Sequence, residues 1–158
     1  MTTSVDLGPA RPDEMPAVRA LLVEYSRWID LDLTFQEIDA ELDGLPGDYA
    51  PPGGLRLVAR IDDRPVGLVA YRRLDDRTCE MKRLYLQAHA RGQGLSRALV
   101  EALLTHATRA GYAEMRLDTL PMMGPAQRLY ESLGFEDIPP YYDTPIPGTR
   151  FMARALRT

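Results

Sequence analysis

A chain of 158 residues, 45% of them hydrophobic, is long enough for one domain spanning 1–158 with a sizeable core. Its 19 basic and 23 acidic side chains leave a net charge of -4, which argues against nucleic acid as the main partner, because neutralising phosphates needs a basic face. One cysteine, Cys79, excludes an internal disulfide framework, no apolar run approaches membrane-spanning length, and residues 1–10 hold neither a basic region nor an apolar run. The expectation is a cytoplasmic protein with no membrane partner.

Residues 5–10 read as a first strand. From Asp13 a helix follows, whose Val18, Leu21, Leu22, Tyr25, Trp28 and Ile29 keep the helical period, with Pro12 and Pro16 confining its start. Thr34 and Glu37 make a capping box: the Thr34 hydroxyl accepts from the third helical amide and Glu37 accepts from the Thr34 amide, so a second helix runs to about Leu45. Residues 55–61 and 65–74 flank Asp62, Asp63 and Arg64 like the arms of a hairpin, and a strand over 78–86 comes next. Beyond the loop Arg91-Gly92-Gln93-Gly94, the residues Leu95, Ala98, Leu99, Ala102, Leu103 and Ala107 recur at helical spacing and form one apolar stripe. Gly111 is placed to cap that helix, 114–119 alternates as a strand, and a helix crossing over between two strands makes them parallel neighbours. Pro125 opens a short helix with Ala126, Leu129, Tyr130 and Leu133 on one face, ended by Gly134. A strand from Phe135, a proline-rich loop over 139–148 and a last strand over 150–156 complete an α/β or α+β layout.

The loop before the long helix carries the first chemical signal. Glycines let backbone approach a ligand closely, and the first amides of a helix have no internal partner, so an anion, most naturally a phosphate, fits in front of them. No Gly-x-x-x-x-Gly-Lys-Ser/Thr run occurs, so this is not a Walker loop. It resembles the acyl-CoA pyrophosphate loop of the GNAT N-acetyltransferase superfamily, Arg/Gln-x-x-Gly-x-Gly/Ala: Arg91 and Gly94 match, and Ser96 departs from the last position with another small residue. The stretch Leu129-Tyr130-Glu131-Ser132-Leu133-Gly134-Phe135 is similar to the superfamily's Leu-Tyr-x-x-x-Gly-Phe segment. Leu117-Asp118-Thr119-Leu120-Pro121, together with Pro139-Pro140-Tyr141-Tyr142 and Pro145, resembles a bacterial subgroup.

The resemblance implies a GNAT-like fold, with a mixed, mostly antiparallel twisted sheet of about seven strands and about four helices. It implies acetyl-CoA as cosubstrate and transfer of an acetyl group to a primary amine of a small molecule or peptide by direct attack in a ternary complex; His89 and His106 form no metal-ligand spacing with Cys79, so no metal is expected. A homodimer is compatible with it, and a non-catalytic acyl-CoA-binding or sensing module on the same fold stays open as the alternative. The cofactor contacts it implies are the main chain of Leu84, Tyr85 and Leu86 and the loop Arg91, Gly92, Gln93, Gly94, Leu95 and Ser96; Arg97 flanks that loop and is a further candidate for the phosphates, against a solvated helix charge. Many relatives carry an asparagine that contacts the cofactor where this chain has Met123.

An amine must be neutral to attack a thioester, and one with a pKa of about 10.4 pays about 4.6 kcal/mol at pH 7 for that form. Glu80 resembles the strand glutamate that serves some relatives as base, on the same strand face as Lys82, Leu84 and Leu86; a salt bridge to Lys82 or Arg83 is the competing reading. Tyr130 matches the superfamily's general-acid tyrosine, against a packed core tyrosine. Backbone amides near Leu86 are implied to stabilise the oxyanion. Tyr141 and Tyr142 are expected to border the amine site, whereas Tyr25 and Trp28 suit the core better, and Cys79 is a poor candidate nucleophile.

Overall fold

The computed structural model describes residues 4–29, 38–45 and 47–157. Strand β1 (Val5–Pro9) leads through a 3-10 turn over Pro12–Glu14 into helix α1 (Met15–Ile29), and α2 covers Ile38–Asp43. The capping residues Thr34 and Glu37 lie outside the described residues. Strands β2 (Leu55–Ile61), β3 (Arg64–Arg73) and β4 (Thr78–Leu86) form an antiparallel meander, with Asp62 and Asp63 both at positive φ in the two-residue β2–β3 turn, as a right-twisted hairpin requires. Helix α3 (Leu95–Arg109), β5 (Glu114–Thr119), α4 (Gly124–Ser132), β6 (Glu136–Asp137) and β7 (Arg150–Ala155) follow. The seven strands make one sheet in the order β1-β2-β3-β4-β5-β7-β6, in which only β4 and β5 run parallel. This matches the expected GNAT-like sheet, and the strand expected from Phe135 is just two residues long.

Two apolar clusters fill the two faces. Leu95, Leu99, Leu103 and Ala107 of α3 pack with Leu57, Val69, Cys79, Met81, Met115 and Leu117 on one face. On the other, Val18, Leu21, Leu22, Tyr25 and Ile29 of α1 meet Val58, Leu68 and Tyr85. Fully burying an aliphatic side chain stabilises by about 1.5–3 kcal/mol, so these stripes fix which face each helix covers. Cys79 lies inside the first cluster, where burial pushes its thiol up to about 12 and leaves it unreactive at neutral pH.

Strand β4 does not keep simple alternation. Lys82 lies opposite Ala70, but Tyr85 lies opposite Leu68, so one extra residue is accommodated on β4 at Arg83, which is left-handed with φ 67°. A left-handed non-glycine residue costs about 1–2 kcal/mol. Arg83 is held there by an ion pair to Glu41 at 2.9 Å and by packing over the Tyr25 ring. The bulge reverses the parity of everything after it. Tyr85 turns to the α1 side and Leu86 joins the cluster of Cys79 and Met81, so Glu80 and Lys82 do not share a face with Leu86 as strict alternation predicts. Gly67 faces Leu86 where the strands approach so closely that a Cβ would sit 2.8 Å from the Tyr85 carbonyl oxygen.

The start of α1 is tied to the sheet edge by charge. Both oxygens of buried Glu14 accept from Arg60 of β2, each at 2.7 Å, and one also accepts from the Arg11 amide at 2.8 Å. The Arg60 guanidinium holds the Glu14 carboxyl down to about 2 from an ordinary 4.5. Because the folded-state value is depressed, this contribution is complete above about pH 4.5 and is lost as pH falls toward 2. Replacing Glu14→Gln should cost about 3 kcal/mol at pH 7 in denaturant unfolding, with the gap to wild type closing between pH 4.5 and 2; a pH-independent gap would place the contribution elsewhere.

Candidate functional site

Strands β4 and β5 pair at only three positions, Thr78 with Glu114, Cys79 with Met115 and Glu80 with Arg116, and then part. The wedge between them opens a cavity of about 520 Å³ that runs from the N-terminus of α3, past Tyr130 of α4, to α1. One wall is β4 from Met81 to Leu86; the other is Leu117, Asp118, Thr119 and Leu120. Beyond Glu80, the β5-facing edge of β4 has no strand partner among the described residues, so its backbone polar groups, other than the Leu86 carbonyl that accepts from Arg91, are available to a bound molecule.

At one end of the cavity lie Arg91, Gly92, Gly94, Ser96 and Arg97. Gly94 caps α3 in the left-handed region, with φ 78° and ψ 9°. Its carbonyl accepts from the Ala98 amide, the first bond of the helix, so the preceding amides point out of the helix end toward the cavity. Apart from the adjoining residues of the chain, no atom of the described residues lies within 4 Å of where a Cβ on Gly92 or Gly94 would stand, so this cradle has room for an oxyanion group. Two loop residues lie off the cavity wall: Gln93 donates to the His89 carbonyl, and Leu95 is buried as a core anchor. The Arg91 Nε donates to the Leu86 carbonyl at 2.9 Å while its guanidinium lies over the rings of Trp28 and Tyr85. Arg97 donates to the Ser132 hydroxyl at 2.6 Å, joining α3 to α4.

Tyr130 is buried but lines the cavity, and its hydroxyl has no hydrogen-bond partner among the described residues. Burial, with Tyr25 and Asp118 adding, pushes its phenol above the ordinary value, so it keeps its proton at neutral pH. Thr119, 2% exposed, also lines the cavity, and its hydroxyl oxygen is buried without a partner among the described residues.

Glu80 has a different setting. It is 1% exposed and off the cavity wall, accepting from Arg72 at 3.1 Å and from the Tyr141 hydroxyl at 2.6 Å, with Lys82 at 3.8 Å. Of the two sequence readings, this geometry is that of the ion pair, with Arg72 as first partner; Arg83 pairs with Glu41 instead. The carboxylate on the cavity wall is Asp118, accepting from Lys82 at 3.0 Å and from the Tyr142 hydroxyl. Tyr141 and Tyr142, expected to border the amine site, lie off the cavity wall and pin the proline-rich loop to Glu80 behind the wall and to Asp118 on it. Trp28 is 48% exposed at the cavity mouth and is not a core residue, and Tyr25, though buried, also faces the cavity. Asp118 and Thr119 stood in the Leu117–Pro121 segment of the family resemblance, but nothing in the sequence placed them or Lys82 on a cavity wall, because a polar residue in an alternating strand reads as solvent-facing.

A family model described as the acetyltransferase (GNAT) family matches residues 15–135. An uncharacterised N-acetyltransferase of Schizosaccharomyces pombe is 40% identical over 143 residues, covering 89% of this chain and 88% of that protein. The N-acetylaspartate synthetase of Danio rerio is 32% identical over 126 residues, covering 78% of this chain and 45% of that protein. Among solved structures, the PaiA N-acetyltransferase of Thermoplasma acidophilum in complex with coenzyme A superposes with a TM-score of 0.75 at 16% identity, covering 96% of this chain and 99% of that one. Both sequence relatives are eukaryotic, so the bacterial subgroup suggested by the proline and tyrosine segments is not supported.

An orphaned buried hydroxyl costs about 1–3 kcal/mol. Thr119→Val keeps the shape and removes that cost, so the ligand-free protein should melt about 2–4 °C higher for a gain of about 1 kcal/mol, read by scanning calorimetry. A lower melting temperature would show that the hydroxyl has a structural partner.

Proposed function

The chain belongs to the GNAT acetyltransferase family and is an acyltransferase, and from that premise we propose that it moves the acetyl group of acetyl-CoA to a primary amine of a small molecule or peptide, the whole chain working as one catalytic domain. The observation that carries this reading is the wedge between β4 and β5, since it joins an anion cradle at α3 to a polar wall at Asp118 through one continuous cavity. The coenzyme A complex of the PaiA enzyme, which shares the fold, supports the cosubstrate.

In this reading the outward amides at the start of α3 hold the pyrophosphate, with the helix dipole favouring the anion. The unpaired edge of β4 from Leu84 to Leu86 bonds the pantetheine arm, and the orphaned Thr119 hydroxyl gains its partner there. Bound acetyl-CoA supplies an activated thioester carbonyl. Amides of β4 near Leu86 stabilise the oxyanion that forms on it. Tyr130 protonates the departing sulfur: as the nitrogen–carbon bond forms and the carbon–sulfur bond breaks, its proton goes to the thiolate, and the proton released by the acylated nitrogen restores the balance. Glu80 is a positioning residue in this account, fixing Lys82 and the Tyr141 loop from behind the wall.

Amine-dependent release of free thiol from acetyl-CoA tests the function, and two variants test the parts. Gly94→Ala forces a Cβ onto a left-handed residue and into the cradle, and calorimetry should show acetyl-CoA affinity falling about tenfold or more in a folded protein. Tyr130→Phe keeps the ring and its packing against Phe135, and should lower turnover by about 10² to 10⁴ with acetyl-CoA affinity nearly unchanged. Wild-type turnover in that variant, under conditions where chemistry limits the rate, would assign the proton to water.

A further inference from the structure

Helix α2 reaches the sheet through one carboxylate. Glu41 Oε1 accepts from the Arg83 Nε of β4 at 2.9 Å, and its Oε2 accepts from the Arg56 guanidinium of β2 at 3.0 Å, so the group spans the intervening strand β3. Both arginine side chains are 1% exposed and that of Glu41 is 8% exposed, so the bridge lies out of water. Two anchors fix the carboxylate independently of β4. One is Arg56, whose guanidinium also lies over the Tyr49 ring; the other is the bond from Arg19 of α1 to the Leu42 carbonyl of α2, 2.7 Å long.

The Arg83 end of this bridge bears on the cavity. Lys82 lies opposite Ala70 and Tyr85 opposite Leu68, so the extra residue of β4 falls between them. Without the bulge, strict alternation would set Leu84 opposite Leu68 and turn Arg83 to the face of Cys79 and Met81, into the apolar cluster that α3 covers. A guanidinium buried there would meet aliphatic groups, and an ion taken out of water without a partner costs more than one left-handed residue. The observed backbone, with φ 67°, turns Arg83 to the opposite face, where Glu41 and the Tyr25 ring receive it. The register is therefore chosen by where the charge finds its partner. A one-residue slip reverses the face of every side chain that follows and the edge to which each amide points. Leu84, Tyr85 and Leu86 are the residues that follow, and all three line the cavity.

We propose that Glu41 is a positioning residue for acetyl transfer: by holding Arg83 on the α1 face, it selects the register in which β4 offers the main chain of Leu84 to Leu86 to acetyl-CoA. Glu41 itself stands off the cavity wall and acts through Arg83, which lines it. This rests on the acetyl-CoA reading of the cavity.

Substitutions at the two ends of the bridge separate register from stability. In full-length protein, Glu41→Gln keeps the shape and removes the charge, and calorimetry should show acetyl-CoA affinity falling about tenfold or more. Arg83→Gly needs no counter-ion and takes a left-handed φ without strain, so it should stay within about threefold of wild type and should restore affinity in the Glu41→Gln background. Arg83→Leu brings an apolar side chain suited to the α3 face, and should lose affinity about as far as Glu41→Gln does. An ion pair that serves stability alone gives another pattern: Arg83→Gly, which strips away the pair and its packing, would do no better than Arg83→Leu and would not repair Glu41→Gln. Cross-strand NOEs in the ligand-free protein read the register directly. They should join Leu68 to Tyr85 in wild type and Arg83→Gly, and Leu68 to Leu84 in Glu41→Gln and Arg83→Leu. Where one end of the bridge does not tolerate substitution, the variants at the other end decide. Unchanged register and affinity in Glu41→Gln, or equal affinities in Arg83→Gly and Arg83→Leu, overturn the proposal. A wild-type protein that binds no acetyl-CoA, yet whose register shifts in Glu41→Gln, overturns the cosubstrate reading and leaves the hold of Glu41 on the register standing.

Discussion

The structure depends on how β4 leaves β5. Three paired positions hold the two parallel strands together, and beyond Glu80 the sheet splits, with the bulge at Arg83 turning β4 away from strict alternation. A split in a sheet exposes backbone polar groups that would otherwise be paired, and these are costly to bury unpaired. The split persists because each lip is held from outside: β4 by its ladder with β3, Gly67 allowing the close approach, and β5 by its antiparallel pairing with β7 along its whole length. The cavity is thus a consequence of sheet topology, with the start of α3 at one end and α1 at the other.

Charge placement follows from that split. Taking an ion out of water costs several kcal/mol, so a buried charge persists only with partners that satisfy it. Arg72, Glu80, Lys82 and Asp118 form a chain of such partners behind and along the wall, and the phenols of Tyr141 and Tyr142 complete the acceptor sites on the two carboxylates. Phe151 packs against both tyrosine rings, so the proline-rich loop is tied to the sheet by apolar contact as well as by hydrogen bonds. The loop therefore sets the orientation of Asp118 from the side away from the cavity.

Much of this was legible in the sequence, for physical reasons. Helical stripes such as Leu95, Leu99 and Leu103 announce their buried face, the proline and glycine punctuation brackets α4, and the Gly94 helix start carries its anion-binding logic in local geometry alone. The Leu84–Leu86 strand, the loop glycines Gly92 and Gly94, and Tyr130 all line the same cavity. What local pattern did not carry is the effect of the bulge. A non-glycine residue at positive φ has no sequence signature, so the reversal of parity at Arg83 was unreadable, and with it the side on which Tyr85 and Leu86 lie. The buried partners of Glu80 come from β3 and from a loop 61 residues away in the chain, and spacing along one strand cannot reveal them. Asp118 and Thr119 looked like ordinary polar positions of a strand for the same reason: their burial is decided by the split, a tertiary feature.

The central claim is that the parted edges of β4 and the start of α3 form one binding surface for acetyl-CoA. Amide hydrogen exchange measured with and without saturating acetyl-CoA tests it most directly, because the claim concerns the backbone amides on the β5-facing edge of β4 and in the first turn of α3, which have no strand or helix partner among the described residues. The account predicts new protection concentrated at Leu84 to Leu86 and at Leu95 to Arg97, with the β2–β3 hairpin unchanged. Saturating cosubstrate that leaves both segments exchanging as before, or that protects amides elsewhere, would contradict it.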